Sequence, residues 1–186
     1  MIRPGRERLH GSVEVDERYV GGVATRGKRR RGGENKEIVA ISVEMLCPKG
    51  FGRVRMRRIP DVSGDSLVPF ICDVAEPGCE VLTDGWGGYS SLTKHSYVHS
   101  RTVLSDGGDP AHATMPGVHR IAALLKRWLL GIHQGAVSGK HLDEYTFRFN
   151  RRTSRSRGML FYRLMQQAVA TASVPYRHLV DGNHKM

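Results

Sequence analysis

Near its beginning the chain reads Ser12-Val13-Glu14-Val15-Asp16-Glu17-Arg18-Tyr19-Val20-Gly21-Gly22, a run rich in β-branched and aromatic residues that two glycines end. Such a composition predicts a β-strand. Alternate side chains of a strand share a face, so Glu14, Asp16 and Arg18 are expected to lie together. An ionised carboxylate on an otherwise apolar strand is costly unless it is paired or binds a metal. Asp16 is therefore expected either to pair with a base or to bind a cation.

A second aspartate ends a short apolar run downstream, Cys79-Glu80-Val81-Leu82-Thr83-Asp84-Gly85. Sites are often built where the strands of a sheet end. Adjacent parallel strands could bring Asp84 beside Asp16, and carboxylate oxygens suit a hard divalent cation. Taken alone, each residue could be a turn aspartate or half of a strand-end salt bridge. The two together favour a metal site.

The bulk composition narrows the class of protein. A length of 186 residues suits one domain with a substantial core. Lysine and arginine total 29 against 18 acidic residues, and the net charge of +11 indicates a polyanionic partner. No apolar run is long enough to span a bilayer, and the basic beginning lacks the apolar core of a signal peptide. Three cysteines without CxxC spacing predict free thiols in a reducing cytoplasm and no zinc site.

The remaining patterns predict strands first and mainly helices later. The apolar run 37–44 and the alternating run 51–59 predict two more strands, joined to the first as an antiparallel meander. A helix is predicted from about Ser66, because Pro69 is unfavourable inside a helix. Further predicted elements are a short helix at 89–92, a last strand at 102–104, helices over 116–131 and 159–172, and a helical stripe of Leu142, Tyr145 and Phe149.

The helix that begins at Pro116 carries polar side chains on one face. His119 and Lys126 are seven residues apart, with Ala122 and Ala123 between them at helical spacing. The small alanines leave room for the backbone of a ligand. His119 also follows Asp84 by 119 − 84 = 35 residues.

Several motifs together resemble bacterial insertion-sequence transposases of the ISXO-like group. They are Val13-Glu14-Val15-Asp16-Glu17, Thr83-Asp84-Gly85-Trp86, Leu124-Leu125-Lys126-Arg127 and Phe147-Arg148-Phe149-Asn150-Arg151-Arg152, and the likeness covers residues 11–170. The 35-residue interval is similar to the D,D-35-E spacing of many transposases and retroviral integrases. The resemblance implies an α/β fold of the ribonuclease H-like kind: a mixed sheet, with an antiparallel three-strand meander plus parallel strands, flanked by helices.

The resemblance also implies the reaction and its site. A DDE-type transposase cleaves DNA and joins the freed strand to a target, with two Mg²⁺ (or Mn²⁺) ions bound by acidic residues. Asp16 and Asp84 match the first two ligands, and the third position falls on His119, with Lys126 as the basic residue seven positions later. His119 departs from the usual Glu or Asn, because imidazole is a softer ligand than magnesium prefers. Glu144 is the rival third ligand.

Partners follow from the same resemblance: double-stranded DNA of the element ends and the target, and further copies of the chain in a homo-oligomer. The place of action implied is the bacterial cytoplasm, in association with the nucleoid. The loop 25–33 is expected either to be a solvated hairpin or to reach for backbone phosphate. The side chains expected to contact DNA are Lys28, Arg29, Arg30, Arg31, Lys126, Arg127, Arg148, Arg151, Arg152 and Arg155.

The domain organisation expected is one catalytic domain over residues 11–172, with flexible ends at 1–10 and 173–186. Members of the ISXO-like group generally carry a zinc ribbon ahead of that domain, so its absence here predicts a truncated copy. Two other functions therefore stay open. One is a catalytically inactive DNA-binding remnant of a transposase, and the other is a ribonuclease H-like nuclease acting on branched DNA or hybrids.

Overall fold

Five strands form one mixed sheet. The computed structural model describes residues 6–21, 36–102, 114–134, 137–170 and 172–173. The strands are β1 (Ser12–Val20), β2 (Glu37–Met45), β3 (Phe51–Ile59), β4 (Glu80–Asp84) and β5 (Val98–Thr102). Their order across the sheet is β3-β2-β1-β4-β5. The first three strands pair antiparallel, whereas β1 pairs parallel with β4, and β4 with β5. The expected meander and the expected parallel strands are both present.

Helices cover both faces of this sheet. They are α1 (Gly64–Val74), α2 (Pro116–His133), α3 (Gly139–Asn150) and α4 (Arg157–Val169), with short 3₁₀ turns at Gly87–Tyr89 and Leu92–His95. On one face α1 packs on β2 and β3, over a core that includes Val13 and Val15 of β1. On the other face α2 and α3 pack on β2 and β3 through a core that includes Ile41 and Val54. The strand alternation of β1 therefore separates two cores, and its polar residues Glu14, Asp16 and Arg18 point to the α2 side.

The start of α1 differs from the sequence prediction. The helix begins at Gly64 and continues through Pro69, although a proline inside a helix costs roughly 3 kcal/mol. Leu67, Phe70 and Ile71 are fully buried against the sheet. Burial of each such side chain contributes about 1.5–3 kcal/mol, so packing of this face outweighs the missing hydrogen bond.

Other predicted boundaries also move. The last strand is β5 at Val98–Thr102, so it lies earlier than the predicted 102–104, of which 103 and 104 are outside the described residues. The helix predicted to end at residue 131 extends to His133. The helix predicted over 159–172 is α4, Arg157–Val169. In place of the short helix at 89–92 there are the two 3₁₀ turns.

Residues 6–10, which precede β1, are part of the fold. Leu9 is fully buried, and its backbone accepts from Glu76 N at 2.9 Å and donates to Val74 O at 2.8 Å. Within the segment 1–10 that was expected to be flexible, the buried side chain of Leu9 and its two backbone hydrogen bonds hold the chain beside the end of α1. Residues 1–5, the basic loop with Lys28, Arg29, Arg30 and Arg31, and residues 174–186 lie outside the described residues.

The arginines of β3 are committed to structural contacts. Arg53 bonds the buried carboxylate of Glu44 through its backbone N at 3.0 Å and through Nη2 at 2.8 Å. Arg57 pairs with Asp73 of α1 at 2.6 Å. Buried Arg55 donates to the backbone oxygens of Val54 and Glu7, at 2.9 and 2.7 Å. β3 is an edge strand of the sheet, and its arginine side chains are used within the fold. No helix in the described part of the chain is long and apolar enough to cross a membrane.

Candidate active site

The register of β1 and β4 brings the two aspartates together. Ser12 pairs with Glu80 and Glu14 with Leu82. The offset is 80 − 12 = 68, and continuing it past the paired residues sets Asp16 level with Asp84. Since parallel strands lie about 4.8 Å apart, neighbouring residues at one level can share a ligand. The expected adjacency of the two aspartates is what the structure shows.

Glu17 is the third carboxylate of this cluster. Within the described residues, Asp16, Glu17 and Asp84 are the group whose ligand oxygens all lie within 4.8 Å of one another. Strand alternation had placed Glu17 on the opposite face from Asp16, and so sequence reasoning missed it. Asp84 is the last residue of β4. Its side chain can therefore lie close to carboxylates from both faces of the neighbouring strand β1. The adjacent acidic pair Asp16-Glu17 was the available signal.

A tyrosine fixes the position of Glu17. The hydroxyl of buried Tyr89 donates to Glu17 Oε2 at 2.6 Å. Burial raises the pKa of Glu17, which the hydrogen bond from Tyr89 opposes and the charge of Asp84 reinforces. The pKa of Tyr89 is also raised, chiefly by burial and then by the charge of Glu17. Tyr89 therefore stays protonated and donates to Glu17 over the whole physiological range.

Burial and the neighbouring negative charges together make it unfavourable for Asp16 to be ionised. Burial raises the pKa of Asp16 to about 7, against the opposing charge of Arg18 and with support from the charges of Glu17 and Asp84. A buried carboxylate among like charges favours protonation or a cation. Bound cations are the usual partners of such groups when they are not paired.

Arg18 is the described cation in direct contact with Asp16. Its Nη2 atom lies 2.5 Å from Asp16 Oδ2 and 3.0 Å from both ring nitrogens of His119. These three residues and Asp84 line one small cavity of about 90 Å³. The structure thus brings His119 to the pocket of the two aspartates, as its 35-residue interval predicted, but places a guanidinium between His119 and Asp16.

Lys126 lies on the same flank of α2 as His119. Its side chain is exposed. Its pKa is lowered by partial burial, then by the charges of Arg18 and Lys36. The charge of Arg18, which contacts both Asp16 and His119, therefore acts on Lys126 as well. The face shared by His119 and Lys126 is therefore the one expected from helical spacing.

Glu14 attaches the beginning of α2 to β1. Its buried carboxylate accepts from Val118 N at 2.9 Å, and burial raises its pKa while backbone hydrogen bonds from Val118 and Gly117 lower it. A carboxylate at a helix N-terminus satisfies free N–H groups and interacts favourably with the helix dipole. Because Glu14 and Asp16 share a face of β1, this contact sets where α2 presents His119. Sequence reasoning gave Glu14 no role.

Gly117 makes the contact sterically possible. A Cβ atom at this position would lie 2.8 Å from Glu14 Oε2 and 2.9 Å from Met45 Sδ. Gly117→Ala is therefore expected to lower the free energy of unfolding by about 1–3 kcal/mol, as overpacked cores do. Gly131→Ala is the matched control, because a Cβ there meets nothing within 4 Å and should stabilise α2 by up to ~1 kcal/mol. Urea unfolding of both variants measures the difference, and equal stability of the two would contradict the steric account.

Glu144, the rival third ligand, lies elsewhere. It is on α3 and pairs with Arg148 at 2.8 Å. Both residues line a separate cavity of about 590 Å³ between α3 and α4, with Leu160 and Leu164. The structure therefore places Glu144 at this second cavity, on a helix that packs against β3, and not among the residues that line the cavity of Asp16 and Asp84.

Some of the arginines that were predicted to contact DNA, at the end of α3, instead make contacts within the fold. Arg152 donates to Phe51 O and to Gly52 O and stacks over Phe149 at 3.9 Å, so it ties α3 to β3. Arg151 stacks over Phe147 at 3.9 Å. Arg127 and Arg155 are exposed. Arg148 and Arg151 remain at the surface near the larger cavity, so this basic surface is distinct from the acidic pocket.

Comparison with known proteins agrees with this geometry. A family model, the ISXO2-like transposase domain, matches residues 8–152. Comparison with curated proteins gave no match. Two similar structures are a chain of the simian T-cell lymphotropic virus intasome in complex with PP2A regulatory subunit B56 gamma, and the catalytic core domain of BIV integrase.

The structural likeness shows the fold. The intasome chain is 13% identical with a TM-score of 0.54, over 84% of this chain and 54% of that one, so this chain spans about half of its length. The BIV integrase core is 14% identical with a TM-score of 0.50, over 86% of this chain and 98% of that core. The five-stranded mixed sheet has the ribonuclease H-like fold of integrase catalytic cores, and the chain belongs to the ISXO2-like transposase domain family.

Proposed function

We propose that the chain is a DDE-type transposase that cleaves DNA and transfers the freed strand in a metal-dependent reaction. The observation that carries this proposal is the meeting of three carboxylates within 4.8 Å at the junction of β1 and β4. Family membership supports the same reaction class. Double-stranded DNA is the proposed substrate, in keeping with the net charge of +11.

The donor set fits a hard divalent cation. Oxygens that coordinate one Mg²⁺, Mn²⁺ or Ca²⁺ ion at roughly 2.0–2.6 Å can be at most about 5 Å apart, and the observed limit of 4.8 Å is within that range. Asp16, Asp84 and Glu17 would hold the metal, with His119 as the alternative third ligand. A pair of such ions would supply activation of water or of a DNA 3′-hydroxyl and stabilisation of the leaving oxygen.

The cations of the site would position the phosphate. Arg18 lies beside Asp16 at 2.5 Å, and Lys126 is on the same helix as His119, which Arg18 contacts. Two cations held near one another favour an anion between them. Arg18 and Lys126 would therefore hold the non-bridging oxygens of the DNA backbone without reading the bases. Glu14 would act indirectly, because it positions α2 and with it Lys126.

The test is cleavage and joining by the full chain. Supercoiled plasmid is incubated with Mg²⁺ or Mn²⁺ and, separately, with EDTA. Labelled oligonucleotides that carry the element ends report strand transfer into the plasmid. Metal-dependent nicking with joined products supports the transposase. Nicking without joined products supports the ribonuclease H-like nuclease instead.

DNA binding should depend steeply on salt. Each phosphate contact by Lys or Arg releases counterions, so a protein with six to ten such contacts loses about 10³–10⁵ in affinity between 50 and 200 mM salt. We expect a loss of at least about tenfold, similar for unrelated duplex sequences, measured by fluorescence anisotropy. A flat salt response would contradict an interface built on phosphates.

The contact between Arg18 and His119 favours a second candidate function, an inactive DNA-binding remnant. Compared with a carboxylate, the imidazole of His119 at the third position lacks one negative charge. The guanidinium of Arg18 adds a positive charge beside Asp16. At 4 Å and an effective dielectric constant of 20, each unit charge pair is worth roughly 4 kcal/mol before desolvation. Metal retention in the remnant would then be weak. DNA binding without nicking in any metal would support it.

Arg18→Gln should tighten metal binding by at least about tenfold, because it removes this competing charge. The measurement is Mn²⁺ titration by calorimetry at pH 8 or above. At lower pH the gain shrinks, since loss of Arg18 raises the pKa of Asp16 further above its present value of about 7 and protonated Asp16 does not bind metal.

His119→Glu should tighten metal binding mainly in the Arg18→Gln background, because in the unchanged chain the new carboxylate would pair with Arg18. His119→Ala is the matched control. Equal metal affinity for His119→Glu and His119→Ala in both backgrounds would exclude this position from the site.

A further inference from the structure

Trp86 is a large aromatic side chain held open to solvent beside the acidic cluster. It follows Asp84 by two residues, and its backbone N–H donates to Asp84 Oδ1 at 3.0 Å. The side chain is 48% exposed. Its indole Nε1–H donates to Val62 O at 2.8 Å. The only polar atom of the ring is therefore satisfied, and what Trp86 offers to solvent is apolar aromatic surface.

The surrounding loop fixes the indole in place. A Cβ atom on Gly88 would lie 2.8 Å from Trp86 Nε1 and 2.8 Å from Val62 O, so glycine is what permits this packing. Tyr89 at the end of the same turn is fully buried and bonds Glu17. The ring is thus tied to the loop before α1 through Val62, while the backbone of Trp86 is tied to Asp84. Such a side chain loses little rotamer freedom when a partner stacks on it.

The chemistry of this surface selects a flat partner that needs no hydrogen bond from the indole. A nucleobase stacks on an aromatic ring whatever its sequence, because every base has a π-face. A lysine or arginine of a protein partner could also lie over the ring. The proximity to Asp84 decides between them, because DNA whose phosphate reaches the acidic cluster carries its own bases within reach of Trp86.

We propose that Trp86 is a stacking platform for the nucleobase next to the phosphate that reacts at Asp16 and Asp84. This inference rests on the proposed function. Trp86 holds the unpaired or partly unstacked end of the cleaved strand, and so aligns that phosphate with the carboxylates. The contact is independent of base identity and adds to the phosphate contacts of Arg18 and Lys126.

The test compares two forked duplexes with the full chain in EDTA, so that no cleavage occurs. One fork has a normal single-stranded arm, and the other has abasic residues in that arm with the same phosphates. Trp86→Ala should lose at least about fivefold in affinity for the normal fork, since stacking of one base contributes roughly 5- to 150-fold. Its affinity for the abasic fork should not change. Trp86→Phe should keep most of the affinity that the unchanged chain has for the normal fork.

Two controls separate stacking from a general loss of structure. Leu46→Ala removes another exposed apolar side chain, 47% exposed in the β2–β3 turn, and should affect neither fork. A Trp128→Phe chain leaves Trp86 as the only tryptophan, and its emission should be quenched by the normal fork more than by the abasic one.

The outcomes distinguish this inference from the proposed function. If Trp86→Ala weakens both forks equally, or neither, the stacking platform is wrong while metal-dependent nicking by the unchanged chain still supports the transposase. If the unchanged chain binds neither fork at low salt, both proposals fail. If quenching of Trp86 requires an added basic peptide instead of DNA, the platform serves a protein cation and the inference is overturned.

Discussion

Asp84→Asn should reduce metal-dependent nicking by more than about 100-fold. Removal of a residue that only orients a metal ligand typically costs 10–100-fold in metal affinity or activity, and Asp84 is proposed as a ligand itself. The amide keeps an oxygen that can still accept from Trp86 N–H, which Asp84 Oδ1 does now. The fold of the loop should therefore survive while the negative charge is lost. The measurement is the initial rate of plasmid relaxation in Mn²⁺.

Two controls make this result specific. Asp73→Asn removes an exposed carboxylate of α1 that pairs with Arg57 of β3, and this variant should nick at the unchanged rate. DNA affinity of Asp84→Asn should stay the same or rise, because a charge that repels phosphate is gone. Nicking by Asp84→Asn at the rate of the unchanged chain would refute the proposed metal site.

Glu44→Gln should destabilise the fold by about 3 kcal/mol at neutral pH. Burial raises the pKa of Glu44, but hydrogen bonds from Arg53 and His10 and the charge of Arg53 outweigh it and lower that pKa from 4.5 to about 2. A difference of one pKa unit corresponds to about 1.4 kcal/mol. The carboxylate is buried at 4% exposure, so solvent screening reduces this value little.

The pH dependence has a definite sign. A folded-state pKa below the unfolded value stabilises the fold at pH above the unfolded value, and this contribution is lost as the pH falls through the folded one. The difference between the unchanged chain and Glu44→Gln should be full above about pH 5 and should shrink between about pH 4.5 and 2. Urea unfolding at several pH values measures it.

Glu37→Gln is the matched control for Glu44→Gln. The pair of Glu37 with Arg58 is a surface one, with both side chains 39% exposed, and such pairs contribute about 0–1 kcal/mol. Equal destabilisation by the two variants, or a constant difference down to pH 2, would contradict a special role of the buried pair.

Residue patterns in the sequence were sufficient for the sheet and for two residues of the site. β-branched runs ending in glycine located β1, and alternation set Asp16 and Arg18 on one face. The apolar run before Asp84 located β4. Family motifs then implied a mixed sheet in which parallel strands join the antiparallel meander, which local propensity does not contain. The helical spacing of His119 and Lys126 likewise placed both on one flank of α2.

The third carboxylate could not be found in this way. Alternation assigns Glu17 to the face opposite Asp16, but it does not say which side chains of a neighbouring strand end lie close to both. At the end of β4 the side chain of Asp84 reaches Glu17 as well as Asp16. The hydroxyl of Tyr89, 72 residues from Glu17 in sequence, completes the arrangement. Contacts of this kind depend on how two distant segments pack.

By itself, the sequence determined which residue types were available and on which elements they lie: a strand with Asp16 and Arg18, a strand-end Asp84, and a helix with His119. Only the tertiary structure decided their partners. It put Arg18 between Asp16 and His119 and moved Glu144 to another surface. The physical reason is that periodicity fixes the direction of a side chain along its own element, whereas the packing of α2 and α3 on the sheet fixes the distances between charges.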